Sequence, residues 1–235
     1  CQVLSEFSDQ EILMKKYYGI IGAGGYGREV IPLARASLSA SLASGDAELF
    51  FVVEGEGSAE TVNGFPVVSM DAFLALPGER YFSIAIGASD VRERIARLCE
   101  DQGAMPFSVI AQNVVILDAN EIGEGAVLSP FVTVTSNAKI GKHFHANLYS
   151  YVAHDCMVGD FVTFAPGVKC NGNVVIEDHA YIGTGAVIKQ GTSKRPLTIG
   201  RGAIVGMGAV VTKSVAPGDT VIGNPARPLR EALRK

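Results

Sequence analysis

Three observations predict the fold class, an α/β domain of half-Rossmann type followed by a parallel β-helix and a short C-terminal helix. From Ile110 to Ile188 every sixth residue is apolar, through Ile116, Ile122, Leu128, Val134, Ile140, Ala146, Val152, Val158, Phe164, Cys170, Ile176 and Ile182. Before residue 107 the pattern is strand, glycine-rich turn, helix, starting at Ile20-Ile21-Gly22-Ala23-Gly24-Gly25-Tyr26-Gly27. Between Gly103 and Ser108 the helical pattern stops and the six-residue rhythm starts. The chain therefore divides into 14–107 and 108–235, with residues 1–13 an extension or expression remnant ahead of Met14.

In the first part, Lys15 to Ile21 reads as a strand and about Arg28 to Leu42 as a helix. Glu48 to Val53 is a second strand, Met70 to Leu76 a short helix and Tyr81 to Ile86 a third strand ending at Gly87. Asp90 to Asp101 is an amphipathic helix, with Asp90 as its expected cap. Gly22, Gly24 and Gly27 match the dinucleotide fingerprint, in which glycines let the backbone approach a phosphate at a helix N-terminus. A full dinucleotide fold needs two βαβαβ halves, and about 90 residues supply one. A mononucleotide or nucleotide-sugar fits that space better than NAD. Glu54, in Val53-Glu54-Gly55, stands where a carboxylate takes a ribose or base hydrogen bond, and an ordinary loop acid reads equally well there.

In the second part, three hexads make an eighteen-residue coil with three short faces and one aliphatic side chain pointing inward from each. The position four residues later is also small or apolar, from Ala126 and Val132 to Ala180 and Ala186, with Phe144 the one bulky exception. Gly123, Gly141 and Gly159 recur at eighteen residues, as one corner of successive coils, where glycine tolerates positive φ. The eleven-residue step from Ile188 to Ile199 marks one inserted loop.

Composition narrows the function. The chain is 48% hydrophobic with a net charge of −4 and no basic run, which argues against a nucleic-acid groove or a polybasic membrane patch. No run of about 18 apolar residues could span a bilayer, so a soluble protein is expected. Cys1, Cys99, Cys156 and Cys170 show no paired metal spacing, which fits a reduced cytoplasm. All four histidines, His143, His145, His154 and His179, lie in the repeat. His154 stands on an outward position two after Val152 and is followed by Asp155. An adjacent carboxylate fixes an imidazole's tautomer and raises its basicity, as a general base requires.

The hexads, the break at Gln190 to Thr198, their return at Ile199-Gly200, and the ending Ile222-Gly223-Asn224-Pro225-Ala226 resemble the left-handed β-helix acyltransferases. With the glycine-rich half-Rossmann domain in front, residues 16–229 resemble the sugar acyltransferases of the bacillosamine N-acetyltransferase and sialic-acid O-acetyltransferase type. The resemblance implies the left hand of the helix, a homotrimer, and acetyl transfer from acetyl-CoA to a nucleotide-linked deoxyamino sugar in bacterial surface-glycan synthesis, without a metal. It implies that His154, paired with Asp155, takes the acceptor's proton and that the Gly172 N–H faces the thioester oxygen. Asn147 then lies beside the acceptor sugar. Gly24, Gly25, Tyr26, Glu54 and Gly87 hold the nucleotide-sugar, and Thr163, Thr184 and Met207 line the CoA groove between subunits. O-acetylation of a sialic-acid-like sugar, a sugar-binding solenoid without activity, and a zinc enzyme built on imidazoles shared between subunits are the competing readings.

Overall fold

The computed structural model describes residues 15–55 and 60–232, so the expected extension at 1–13 lies outside the described residues. The first part runs β1 (Lys16–Ile21), α1 (Gly25–Ser37), α2 (Ser39–Ser44), β2 (Ala47–Val53), β3 (Thr61–Val62), β4 (Phe65–Ser69), α3 (Met70–Leu74), β5 (Glu79–Ile84), α4 (Ser89–Asp101) and β6 (Met105–Pro106). Its six-stranded sheet has the order β3-β4-β2-β1-β5-β6 and is parallel except for the β3–β4 hairpin. Val30, Ile31 and Ala34 of α1 pack on one side with Ile20 and Phe51. Ile95 and Cys99 of α4 pack on the other with Ile21, Phe73, Phe82 and Ile84. Apolar residues on both sides of each central strand are what a sheet covered by helices requires.

Two local expectations change. The first helix begins at Gly25 rather than Arg28 and breaks at Leu38, so the glycine motif forms its first turn. Asp90 is not the cap of α4: Ala88 holds that position without a side-chain bond, and Asp90 lies in the first turn, where its charge still suits the helix dipole.

From Val109 the chain coils through three sheets, parallel except where Arg227–Pro228 pairs antiparallel at the end of the first. The first face stacks Val109–Ile110, Val127–Leu128, His145–Ala146, Thr163–Phe164, Tyr181–Ile182, Ile204–Val205 and Thr220–Ile222. The second stacks Val115–Ile116, Thr133–Val134, Tyr151–Val152, Lys169–Cys170, Val187–Ile188 and Val210–Val211. The third stacks Glu121–Ile122, Lys139–Ile140, Met157–Val158, Val174–Ile176 and Leu197–Ile199. Helix α5 (Leu229–Ala232) follows. The inward column is buried from Leu128 to Val211, whereas Ile110 and Ile116, on the open first coil, remain 37% and 40% exposed. Phe144 fits because Ala146 is the one alanine in the inward column, and the Phe144 ring meets Phe164 edge-on at 5.1 Å.

The corners use glycine differently from the expectation. The left-handed residue is the third after each inward residue: Ala119, Phe131, Asn137, His143, Tyr149, Asp155, Phe161, Asn173 and His179, with φ from 52° to 64°, and glycine at Gly125, Gly167 and Gly185. Gly123, Gly141 and Gly159 do not have positive φ. They are glycine because the next coil lies against them: a Cβ on Gly159 would sit 2.7 Å from the Asp178 backbone nitrogen.

Candidate active site

The corner between the second and third faces carries His154 and Asp155, and one coil further on Gly172 and Asn173. His154 Nδ1 lies 2.8 Å from Asp155 Oδ2, and Asn137 Nδ2 donates to Asp155 Oδ1 at 3.3 Å. The bond to His154, with the one from Asn137, holds the Asp155 carboxyl below the usual aspartate range, so it is an anion at neutral pH. Asp155 thereby fixes the tautomer with the proton on Nδ1 and leaves the Nε2 lone pair free to accept. Both side chains are about half exposed, open to a substrate.

The imidazole lies against Gly172, where a Cβ would come within 2.4 Å of Nε2. The Gly172 N–H donates to no protein acceptor among the described residues, while its carbonyl accepts from Gly191 N at 3.0 Å. A free N–H beside the base is an arrangement that can receive an oxyanion. The structure thus brings His154, Asp155 and Gly172 together. Asn137, not singled out from the sequence, joins them, and its signal was the eighteen-residue step to Asp155.

Asn147, Thr184 and Met207 lie elsewhere, on the corner between the first and second faces. Asn147 donates to Phe164 O at 3.1 Å, and Met207 is 80% exposed. Thr163 shares neither corner. It is 5% exposed, and its hydroxyl accepts from Arg92 Nη2 at 3.0 Å beneath α4. Thr163 thus faces the side of α4, apart from the corner that carries Thr184 and Met207.

In the first domain, Gly24 and Gly25 are exposed at the N-terminus of α1, and Gly87 at the end of the adjacent β5. A Cβ on Gly27 would strike the Gly22 carbonyl at 1.8 Å, so this glycine lets helix and strand approach. Two of the singled-out residues make further contacts within the protein. The Tyr26 ring lies 5.2 Å from His145 at the seam, and its hydroxyl is buried. The Glu54 carboxylate is held by both terminal nitrogens of Arg94 at 2.8 Å, which lowers its pKa.

A cleft of about 500 Å³ runs from Gly87, Ser89 and Asp90 to Thr163 and Tyr181, between α4 and the first face. A wider groove of about 790 Å³ follows the third face along Lys139, Met157, Val175 and Arg201, and none of the candidate catalytic or binding residues lines it. The histidines do not converge: His143 and His179 share one corner with the Phe161 ring stacked between them, and His154 lies on another. No group of three or more potential metal ligands occurs among the described residues.

Residues 19–98 match the model of the PglD N-terminal domain. Across 92% of this chain and 97% of the relative, the sequence is 53% identical to the GDP-perosamine N-acetyltransferase of Escherichia coli O157:H7. The structure is similar to WeeI from Acinetobacter baumannii AYE, with 56% identity and a TM-score of 0.87 over 92% of this chain and all of that one. It is also similar to PerB from Caulobacter crescentus in complex with CoA and GDP-perosamine, with 25% identity and a TM-score of 0.68 over 90% and 96% of the two chains. With a relative of this identity matched along nearly its whole length, the protein belongs to the acetyl-CoA-dependent sugar N-acetyltransferases that join a PglD-type N-terminal domain to a left-handed parallel β-helix.

Proposed function

We propose that this enzyme transfers the acetyl group of acetyl-CoA to the amino group of a GDP-linked amino sugar of the perosamine type. The observation that carries the reading is the His154–Asp155 pair lying against Gly172. His154 Nε2 accepts a proton from the acceptor amine as the amine attacks the thioester carbonyl. The resulting oxyanion meets the Gly172 N–H, and collapse of the tetrahedral intermediate expels the CoA thiolate. Asp155 stays ionised and stabilises the imidazolium formed in between. The nucleotide diphosphate takes the exposed N-terminus of α1 at Gly24 and Gly25, with Gly87 and the Glu54–Arg94 pair at the ends of the neighbouring strands.

A second copy completes the site. Asn147, Thr184 and Met207 occupy one edge of the second face and His154 with Gly172 the other, so one chain keeps the two groups apart. Packing of second faces around a threefold axis sets the first edge of one subunit beside the second edge of the next. Val115, Leu117, Phe131, Tyr149 and Met207 are exposed apolar residues on this face and its edges, which supports such packing. In this homotrimer the CoA groove lies between subunits along Thr184 and Met207. Buried free thiols at Cys99, Cys156 and Cys170 support a reducing compartment, the cytoplasm.

The test is His154→Ala assayed for thiol release with acetyl-CoA over GDP-, UDP- and dTDP-amino sugars, alongside sedimentation of both proteins. We expect turnover with the GDP-linked acceptor to fall by about 10²–10⁴-fold while GDP-sugar binding is retained and both proteins run as trimers. Turnover near the wild-type rate would remove His154 as the base, and a monomeric active enzyme would remove the shared site.

A further inference from the structure

Among the described residues Arg92 is the one buried arginine, lysine or carboxylate side chain, in the first turn of α4 and 0% exposed. No carboxylate bonds to it among the described residues; its partners are oxygens of two different parts of the chain. Nη1 donates to Ile86 O at 2.8 Å and Gly87 O at 3.2 Å, in the turn after β5. Nη2 donates to Phe161 O at 2.5 Å and Thr163 Oγ1 at 3.0 Å, on the first face of the β-helix. One nitrogen thus serves the nucleotide-sugar domain and the other the catalytic helix. Gly87 and Thr163, the residues at the two ends of this bridge, both line the cleft between α4 and the first face.

We propose that Arg92 is a positioning residue for acetyl transfer: its guanidinium ties the Ile86–Gly87 turn to the Phe161–Thr163 segment and so sets where a bound nucleotide-sugar presents its amine. This rests on the reading of Gly87 as part of the nucleotide-sugar site. The acceptor is held by its nucleotide on one domain and reacts at a corner of the other, so the rigidity of the joint becomes precision at the reacting atoms. A planar fork of fixed geometry spans both segments, which the single ammonium of lysine cannot do. Burial lowers the Arg92 pKa to about 10, which leaves it charged at neutral pH and its bonds to the carbonyls charge-assisted.

The experiment compares wild type with Arg92→Lys, using calorimetric binding of GDP alone and of acetyl-CoA alone, and kcat/KM for transfer to the GDP-amino sugar. The expected result is a fall of about 10²-fold in kcat/KM with both binding constants unchanged. Wild-type kcat/KM in the variant overturns the proposal. So does a loss of GDP binding in step with turnover, which would mean that Arg92 only folds the first domain. If wild type itself does not bind GDP, the nucleotide-site reading falls and the role of Arg92 falls with it. Should Arg92→Lys not fold, Thr163→Val removes one acceptor on the helix side and is judged by the same measurements.

Discussion

Asp155 meets two demands with one side chain. Its φ of 58° belongs to a corner position where Asn, Asp and His are the non-glycine residues best tolerated, and its carboxylate orients His154. Residue type at such a corner is therefore ambiguous in sequence: Asn173 and His179 occupy equivalent positions with the same left-handed φ. Gly172 is free of this ambiguity. Its φ is ordinary, and what excludes a side chain is the His154 ring. Gly172→Ala should push aside a half-exposed imidazole at little cost in stability while misplacing the base. We expect kcat to fall about 10²-fold with Tm nearly unchanged, measured by thiol release and thermal denaturation. A matched loss of both would make Gly172 a packing glycine. His154 and Asp155 were legible from adjacency and register, but that Thr163 is bonded to Arg92 and Glu54 to Arg94 was not, because both depend on arginines of a helix forty or more positions away from one partner or the other.

The elements show how closely coils must stack. Adjacent strands lie about 4.8 Å apart, so a residue beneath the neighbouring backbone has no room for a Cβ. Gly159→Ala drives its methyl into the Asp178 backbone and should cost about 1–3 kcal/mol, read as a lowered denaturation midpoint. Gly185→Asn, at a left-handed corner with open space, serves as the comparison and should change little. An equal loss in both would place the cost in conformation rather than contact. The β3–β4 hairpin shows the limit of periodicity: both strands are short, and the signal was the Asn63-Gly64 pair, whose φ values of 50° and 79° suit a tight turn.

At the scale of the whole molecule the seam between the domains governs the buried histidines. Phe82, His143, Phe161 and His179 form one stack of rings, and His145 lies under Tyr26. Burial pushes His143 down to about 4 and His145 well below 6.5, and the Glu100 carboxylate, 4.0 Å from His143 Nε2, is too distant for a hydrogen bond that would offset it. The folded values are depressed, so the unfolded chain binds more protons as the medium is acidified. Stability present above about pH 6.5 is then lost as pH falls through that value toward 4. The midpoint of thermal unfolding should drop between pH 7 and pH 5, and His143→Asn, which tolerates the corner's φ of 52°, should show a shallower drop. An unchanged pH slope in that variant would move the effect elsewhere. The repeat, the glycine loop and the His154–Asp155 pair are properties of short stretches of chain, because a period of six, a strand-to-helix turn and an adjacent carboxylate are all local. Arg92 at the joint, the depressed pKa values of His143 and His145 and the Arg92–Thr163 bond arise only once the first domain lies on the first face of the helix, since burial and hydrogen-bond partners there come from residues about seventy positions apart.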